Sequence, residues 1–413
     1  MEKIALAILL VIPLTLFNFT LSYAQSTSDS VVVKDLNSLG SSSDSIMEKD
    51  IGDVFWIARH KDKLILYKKK KQHEEFTLVP AVGYTLQTGF TILLAANSVF
   101  YTNKSDRSKS STFMSSIAYT QYNQIILPIR ANIWSKDSKY DFISDVRYMS
   151  YPSQTYGLGA QTTVNDGYNI DFSYFKFHQS LLRRVKSNFF SGAGFYYDQL
   201  WNVREINPPA GDITSFEQYG LNKSERASGF SIQNLIDTRP NQVNPTRGLY
   251  ATLRYRLNHK GLGSTSNWQS GILEFRKYYR FSERSKNMIA FWNYNWFTFG
   301  TPPYLLLPST GWDDFFNVGR GYIQGRFRDK NMSYMEVEYR FRLVENGVLG
   351  AVVFTNAQTF SNSISSLYGS LIPGYGAGLR IKLNKNSATN LCIDYAFGKE
   401  GSRGFFINLG EVF

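Results

Sequence analysis

The sequence predicts an all-β protein, a transmembrane antiparallel β-barrel of about sixteen strands, with a short periplasmic N-terminal helix and a disordered tail ahead of it. Three observations predict this. The chain opens with an export signal, and nowhere after it comes near the roughly 18 uncharged apolar residues that a membrane helix needs. Mean hydropathy is only -0.27, yet aromatic residues make up 16% of the chain. Long segments alternate apolar and polar residues, which conceals their hydrophobicity from any average along the sequence.

The export signal occupies residues 1–24. Lys3 leads into the apolar run from Ile4 to Phe17, and Ser22-Tyr23-Ala24 places small residues two apart before Gln25. Pro13 interrupts the run, Asn18 ends it, and both argue against an uncleaved helical anchor. Residues 25–75 form the next unit, a periplasmic tail. Its first half is rich in Ser and Asp and cannot bury enough apolar surface to offset its ordering entropy. Ile51, Val54, Phe55 and Ala58 then recur at helical spacing behind Asp50, a candidate N-cap. Seven Lys or Arg against Asp62 alone in 59–71 give this stretch half of the chain's net charge of +12. Such a run suits either anionic lipid headgroups or a solvated segment.

The barrel is expected over 76–413. In one stretch Tyr375, Ala377, Leu379, Ile381 and Leu383 alternate with Gly376, Gly378, Arg380, Lys382 and Asn384, so one face suits lipid and the other water. Residues 249–258 and 333–342 repeat the pattern, setting Arg254 and Arg256, and Glu336, Glu338, Arg340 and Arg342, on the wet face. A β-sandwich alternates too, but segments of about ten residues suit tilted spans. An even strand number puts both termini in the periplasm, the longest connections (207–226 and 300–331) outside, and 384–389, 282–286 and 344–347 inside. The single Cys392 excludes an intramolecular disulfide and reads as a small thiol facing the lumen.

Several motifs cluster toward the end. Gly319-Arg320-Gly321-Tyr322 stands within the longest loop, and Glu338 falls on the wet face of the strand after it. These residues resemble the Arg-Gly-aromatic loop signature of the BamA/TamA superfamily, the bacterial surface antigen family of outer-membrane assembly factors. The resemblance implies that the loop folds into the barrel and that Arg320 pairs with acidic wall groups such as Glu338. The family's second wall position, usually Phe-x-Asp-x-Gly, reads Phe354-Thr355-Asn356-Ala357-Gln358 here. With a neutral Asn356 in place of a carboxylate, the loop tether is expected to be looser, though an amide oxygen still accepts one hydrogen bond.

Asp237-Thr238-Arg239 with Asn244-Pro245-Thr246-Arg247-Gly248 also resembles the family, at a tight periplasmic turn near mid-barrel; Pro245 and Gly248 are turn chemistry in any case. The C-terminal stretch sets Phe405, Ile407, Leu409 and Phe413 on one face and ends in an aromatic, like the signal read by the outer-membrane assembly machinery. Gly410 matches a glycine at which the family's last strand kinks. Pro80 in the first strand lacks a ladder N–H, so both residues weaken the closing seam. The resemblance spans 76–413 and includes no polypeptide-transport-associated domain.

The resemblance implies a barrel that assists insertion, assembly or translocation of outer-membrane components. A pore or transporter for small solutes is the alternative, since a wall with charges of both signs also keeps a lumen wet. His60, His73, His178 and His259 form no catalytic or metal-ligand pattern, so neither enzyme activity, metal nor cofactor is expected. The expected partners are outer-membrane lipids, the assembly machinery that handles this chain as a client, and a separate periplasmic protein or lipoprotein. No nucleic-acid-binding stripe is present.

Overall fold

The computed structural model describes residues 32–34, 48–54, 64–66 and 75–413, apart from 103–108, 209–212, 221, 283–284 and 386. The expected signal peptide, most of the tail and basic run, and the second half of the expected helix lie outside the described residues. Residues 32–34 and 64–66 pair as a two-stranded ribbon.

Sixteen antiparallel strands form the barrel. In order they are β1 (Glu75–Thr85), β2 (Gly89–Phe100), β3 (Ser111–Thr120), β4 (Ile125–Trp134), β5 (Tyr140–Ser150), β6 (Tyr168–Lys186), β7 (Phe189–Ile206) and β8 (Ser224–Asp237). The second half runs β9 (Gly248–Asn258), β10 (Trp268–Arg280), β11 (Met288–Gly300), β12 (Asn331–Arg342), β13 (Leu349–Ser361), β14 (Ile372–Asn384), β15 (Thr389–Phe397) and β16 (Arg403–Leu409). Each strand pairs with the next, and β16 returns beside β1 to close the sheet.

Alternation assigns the faces as the sequence predicted. Leu253, Tyr255 and Leu257 point away from the lumen and are 50%, 41% and 44% exposed, whereas Arg256 and Asn258 on the other face are buried. Tyr375 and Leu379 are likewise exposed while Arg380 and Lys382 are buried. A polar face buried and an apolar face exposed is the inverse of a sandwich, and it decides between the two folds that alternation alone left open.

The wall is uneven. β6 and β7 have 19 and 18 residues, about 60 Å of extended chain, whereas β15 and β16 have only 9 and 7. The two long connections foreseen at 207–226 and 300–331 appear as 207–223 and 301–330, joined by a third at 151–167 that carries a further short strand, Ser153–Thr155. Over the tall wall these connections pack an apolar cap in which Phe216 stacks on Tyr304 at 4.2 Å beside Leu307, Tyr151 and Phe172.

At the opposite end, residues 51–54 form one helical turn. Asp50 and Asp53 cap each other's backbone N–H groups at 3.1 and 3.0 Å, the reciprocal pattern of a capping box. This turn is docked. The Lys385 ammonium lies 2.7 Å from Asp53, the Lys49 N–H donates to the Asn346 carbonyl at 2.9 Å, and Glu48 pairs with Arg342 and Lys382.

Candidate functional site: an inward loop and a tucked C-terminus

The connection from β11 to β12 does not project away from the barrel but folds into it. Its backbone is built for a compact reversal. Asp313 accepts from the N–H groups of Phe315, Asn317 and Val318 at 3.0, 2.7 and 2.8 Å, and Thr310 pairs with Phe327 and Gly325 across the loop. Gly321 sits at φ 108°, and a Cβ there would lie 2.6 Å from the Phe397 carbonyl oxygen, so only glycine lets the loop lie flat against the β15 end. Tyr322 then donates its hydroxyl to the Pro373 carbonyl and accepts from the Lys399 N–H at 2.8 Å.

Arg320 reaches the inner wall, only 1% exposed. Its guanidinium pairs with the expected Glu338 and also with Glu336 and, at 2.5 Å, Asp394. The plane lies over the Phe354 ring at 3.6 Å. A planar five-donor fork suits several carboxylates at once. Beyond it, Arg340 and Arg380 supply the balancing cations, for Arg340 bonds Glu338 at 2.5 Å and Arg380 bonds Asp394 at 2.5 Å.

Asn356 corrects the expectation of a looser tether. Its amide does not accept from the guanidinium; its Nδ2 donates to the Arg320 backbone carbonyl at 2.9 Å. The missing charge comes from β15, where Asp394 faces the lumen, so the arginine has three carboxylates. Alternation in 389–397, with Asn390, Cys392, Asp394 and Ala396 on one face, carried the signal that would have found it.

The C-terminus is the second correction. Phe405, Ile407 and Leu409 stay on the outer face, opposite Tyr395, Ile393 and Leu391 of β15. Phe413 does not join them. The strand stops at Leu409, Gly410 turns at φ 85°, and the last residues pass into the lumen. There Phe413 is 2% exposed, with its ring centroid 5.2 Å from that of Trp292. A positive φ at the glycine changes which face the next residue meets, and strict alternation from 405 to 413 missed it.

The tucked segment is bonded on every side. Glu411 accepts from Arg380 at 2.9 Å and Asn390 at 2.7 Å, and its N–H donates to the Val243 carbonyl at 2.9 Å. Asn317 of the inward loop donates to the Val412 carbonyl at 2.8 Å, and Arg340 to the Phe413 oxygen at 3.1 Å. The Cys392 thiol, inward as expected, donates to the Gly410 carbonyl at 3.1 Å. Loop and terminus thus share Arg340 and Arg380.

Val243 belongs to the connection between β8 and β9, which is the third correction. The expected tight turn is instead a strap that crosses the barrel end. Asn241 and Asn244 donate to the carbonyls of Ser387 and Ala388 before β15, at 3.2 and 3.1 Å. Asp237 and Arg239 form its hinge by a 3.0 Å ion pair, Pro245 lies within it, and Gly248, at φ 102°, starts β9. Strand alternation carries no information on a connection's reach.

Pro80 lies in β1 opposite Leu94 of β2. At the seam itself, a Cβ on Gly404 would meet the Leu86 side chain at 2.3 Å, and one on Gly83 would meet Ile407 at 3.6 Å. Of the histidines, His178 bonds Asp198 at 3.0 Å and His259 accepts from the Gly261 N–H; His60 and His73 lie outside the described residues. No group of potential metal ligands occurs among the described residues.

Solved structures resemble this barrel. BamA from Haemophilus ducreyi lacking POTRA domains 1-3 superposes with a TM-score of 0.53 at 14% identity, over 84% of this chain and 71% of that one. The barrel has the BamA-type fold. CdiB from Acinetobacter baumannii matches with a TM-score of 0.51 at 12% identity, over 84% of this chain and 61% of that one. No family model matches the sequence, and neither does any curated protein. Identities this low establish the shared architecture and nothing finer.

Proposed function

We propose that this chain is an integral outer-membrane barrel, with its N-terminus in the periplasm, that assists insertion, assembly or translocation of other outer-membrane components. The observation that carries the reading is the inward loop and tucked C-terminus meeting in one ion-pair network beside the shortest of the sixteen barrel strands. Sheet edges template new strands. β16, only 7 residues long and ended by Gly410, is the wall element with least sheet to break, while Arg320 holds the rest of the interior rigid. The resemblance of Arg320, Gly321, Tyr322 and Glu338 to the assembly-factor signature supports the same class. Delivery of a client falls to a separate periplasmic partner, for which the docked turn at 48–54 is the adjoining surface.

The solute-pore alternative loses its main support, because wall charges expected to face a channel are engaged with one another and with the loop. Glu336, Glu338, Arg340 and Arg380 are all buried. The test is the folding rate of an unfolded outer-membrane protein into liposomes carrying the purified barrel, compared with empty liposomes. Acceleration supports the reading; no acceleration together with solute leakage overturns it in favour of a pore.

A further inference from the structure

The four residues after β16 are held by the inner wall and by the strap, and the two holds differ in kind. The wall contributes charge-assisted bonds, from Arg380 to Glu411 at 2.9 Å and from Arg340 to the Phe413 oxygen at 3.1 Å. The strap contributes neutral ones. The Val243 carbonyl accepts from the Glu411 N–H at 2.9 Å, and a Cβ on Gly410 would lie 3.1 Å from Val243 Cγ1. The strap is itself anchored by neutral side-chain amides, those of Asn241 and Asn244 on the carbonyls of Ser387 and Ala388.

The strap is also the part most ready to move. Its root is firm, since Asp237 is 1% exposed, pairs with Arg239 at 3.0 Å and has its carbonyl bonded by Lys109 at 2.6 Å. Beyond that root, residues 240–247 belong to no strand, and Pro245 alone among them is buried. Asn241 folds them locally by accepting from the N–H groups of Val243 and Asn244 at 2.8 and 2.9 Å. Neutral hydrogen bonds are about half as strong as charge-assisted ones, and segments with few buried apolar contacts open at low free energy. A locally folded turn on a firm root can swing as one piece, because its internal bonds survive the loss of its outer contacts.

Behind the terminal residues lies the chain's single thiol. Cys392 is fully buried on the inward face of β15 and donates to the Gly410 carbonyl at 3.1 Å, while the Gly410 N–H donates to the Asn390 carbonyl at 2.8 Å. The terminal residues therefore cover Cys392, and the strap covers the terminal residues. We propose that the strap between β8 and β9 is a latch on the C-terminal segment. Shut, it keeps residues 410–413 tucked over Cys392; swung away, it leaves them to the wall contacts alone and lets them exchange with an untucked state that uncovers the thiol. This holds whether or not the barrel assists assembly.

The test is the rate at which a maleimide reacts with Cys392 in the full chain folded in detergent. Asn241→Ala and Asn244→Ala loosen the strap without touching the terminus. Asn244→Ala deletes one neutral hydrogen bond and should speed labelling about fivefold. Asn241→Ala deletes an anchor and the local turn together and should speed it more. The increase should be insensitive to denaturant well below the unfolding midpoint, as local opening is. Asn222→Ala is the control, since it removes amide bonds to Gly220 and Glu225 in a different connection and should leave the rate unchanged. Unchanged labelling in both strap variants overturns the proposal. So does labelling that rises steeply with denaturant, or an equal increase in Asn222→Ala, because either marks unfolding of the barrel as a whole.

Discussion

The tall wall of β6–β8 and the low strands β1–β4 belong to one sheet, yet they are stabilised differently. The tall wall buries Tyr168, Ile170, Phe172, Leu182, Phe190 and Leu200 against the cap or one another. Among the described residues of β1–β4, the buried apolar side chains are Ala118 and Trp134 alone. Backbone pairing holds both regions, but only one adds a core to it. Because local opening free energy follows buried contacts, the strands beside the seam should open first. The inward loop and tucked terminus sit on the other flank of that seam, which places rigid interior on one side of β16 and sparse interior on the other.

The largest effect should come from Arg320→Ala, which strands Glu336 in the interior and takes one guanidinium partner each from Glu338 and Asp394. Breaking a buried pair in this way costs about 3–5 kcal/mol. Denaturant unfolding in detergent should show a loss of that order, while Arg320→Lys, which retains charge but not the fork, recovers only part of it. An Arg320→Ala barrel as stable as the parent would mean that the network is not the brace described.

Next is Phe413→Ala. Removing a buried aromatic costs about 3 kcal/mol, and here the loss should concentrate on the C-terminal tuck. Protease digestion from the C-terminus should become faster in the variant, with the tall wall unaffected. Uniform destabilisation would show that the tuck is not a separate element.

A smaller effect is expected of Gly410→Ala, about 1 kcal/mol for a side chain held in the left-handed region. Hydrogen exchange sharpens the regional comparison without any substitution: amides of β1–β4 should exchange faster than those of β6–β8. Equal protection would erase the contrast.

Much of this was legible in the sequence, because period-two alternation is a direct consequence of strand geometry. It assigned Arg254, Arg256, Glu338 and Arg380 to the wet face, whereas the inward fold of the loop and the Arg320–Glu338 contact were implied by the family resemblance and not by alternation. Asp394 was equally legible but belongs to a short strand whose polar face has one charge. Phe413 and the strap from Thr238 to Arg247 were not, since a single glycine dihedral redirects the chain and a connection's length does not say where it goes.

The central claim, that the seam between β1 and β16 opens in function, is tested most directly by tying it shut. Leu86 and Gly404 meet across it, so Leu86→Cys with Gly404→Cys should form a disulfide there. Client folding into liposomes containing this variant should be accelerated when the disulfide is reduced and fall to the empty-liposome rate when it is oxidised. Undiminished acceleration by the fully oxidised barrel would contradict the account.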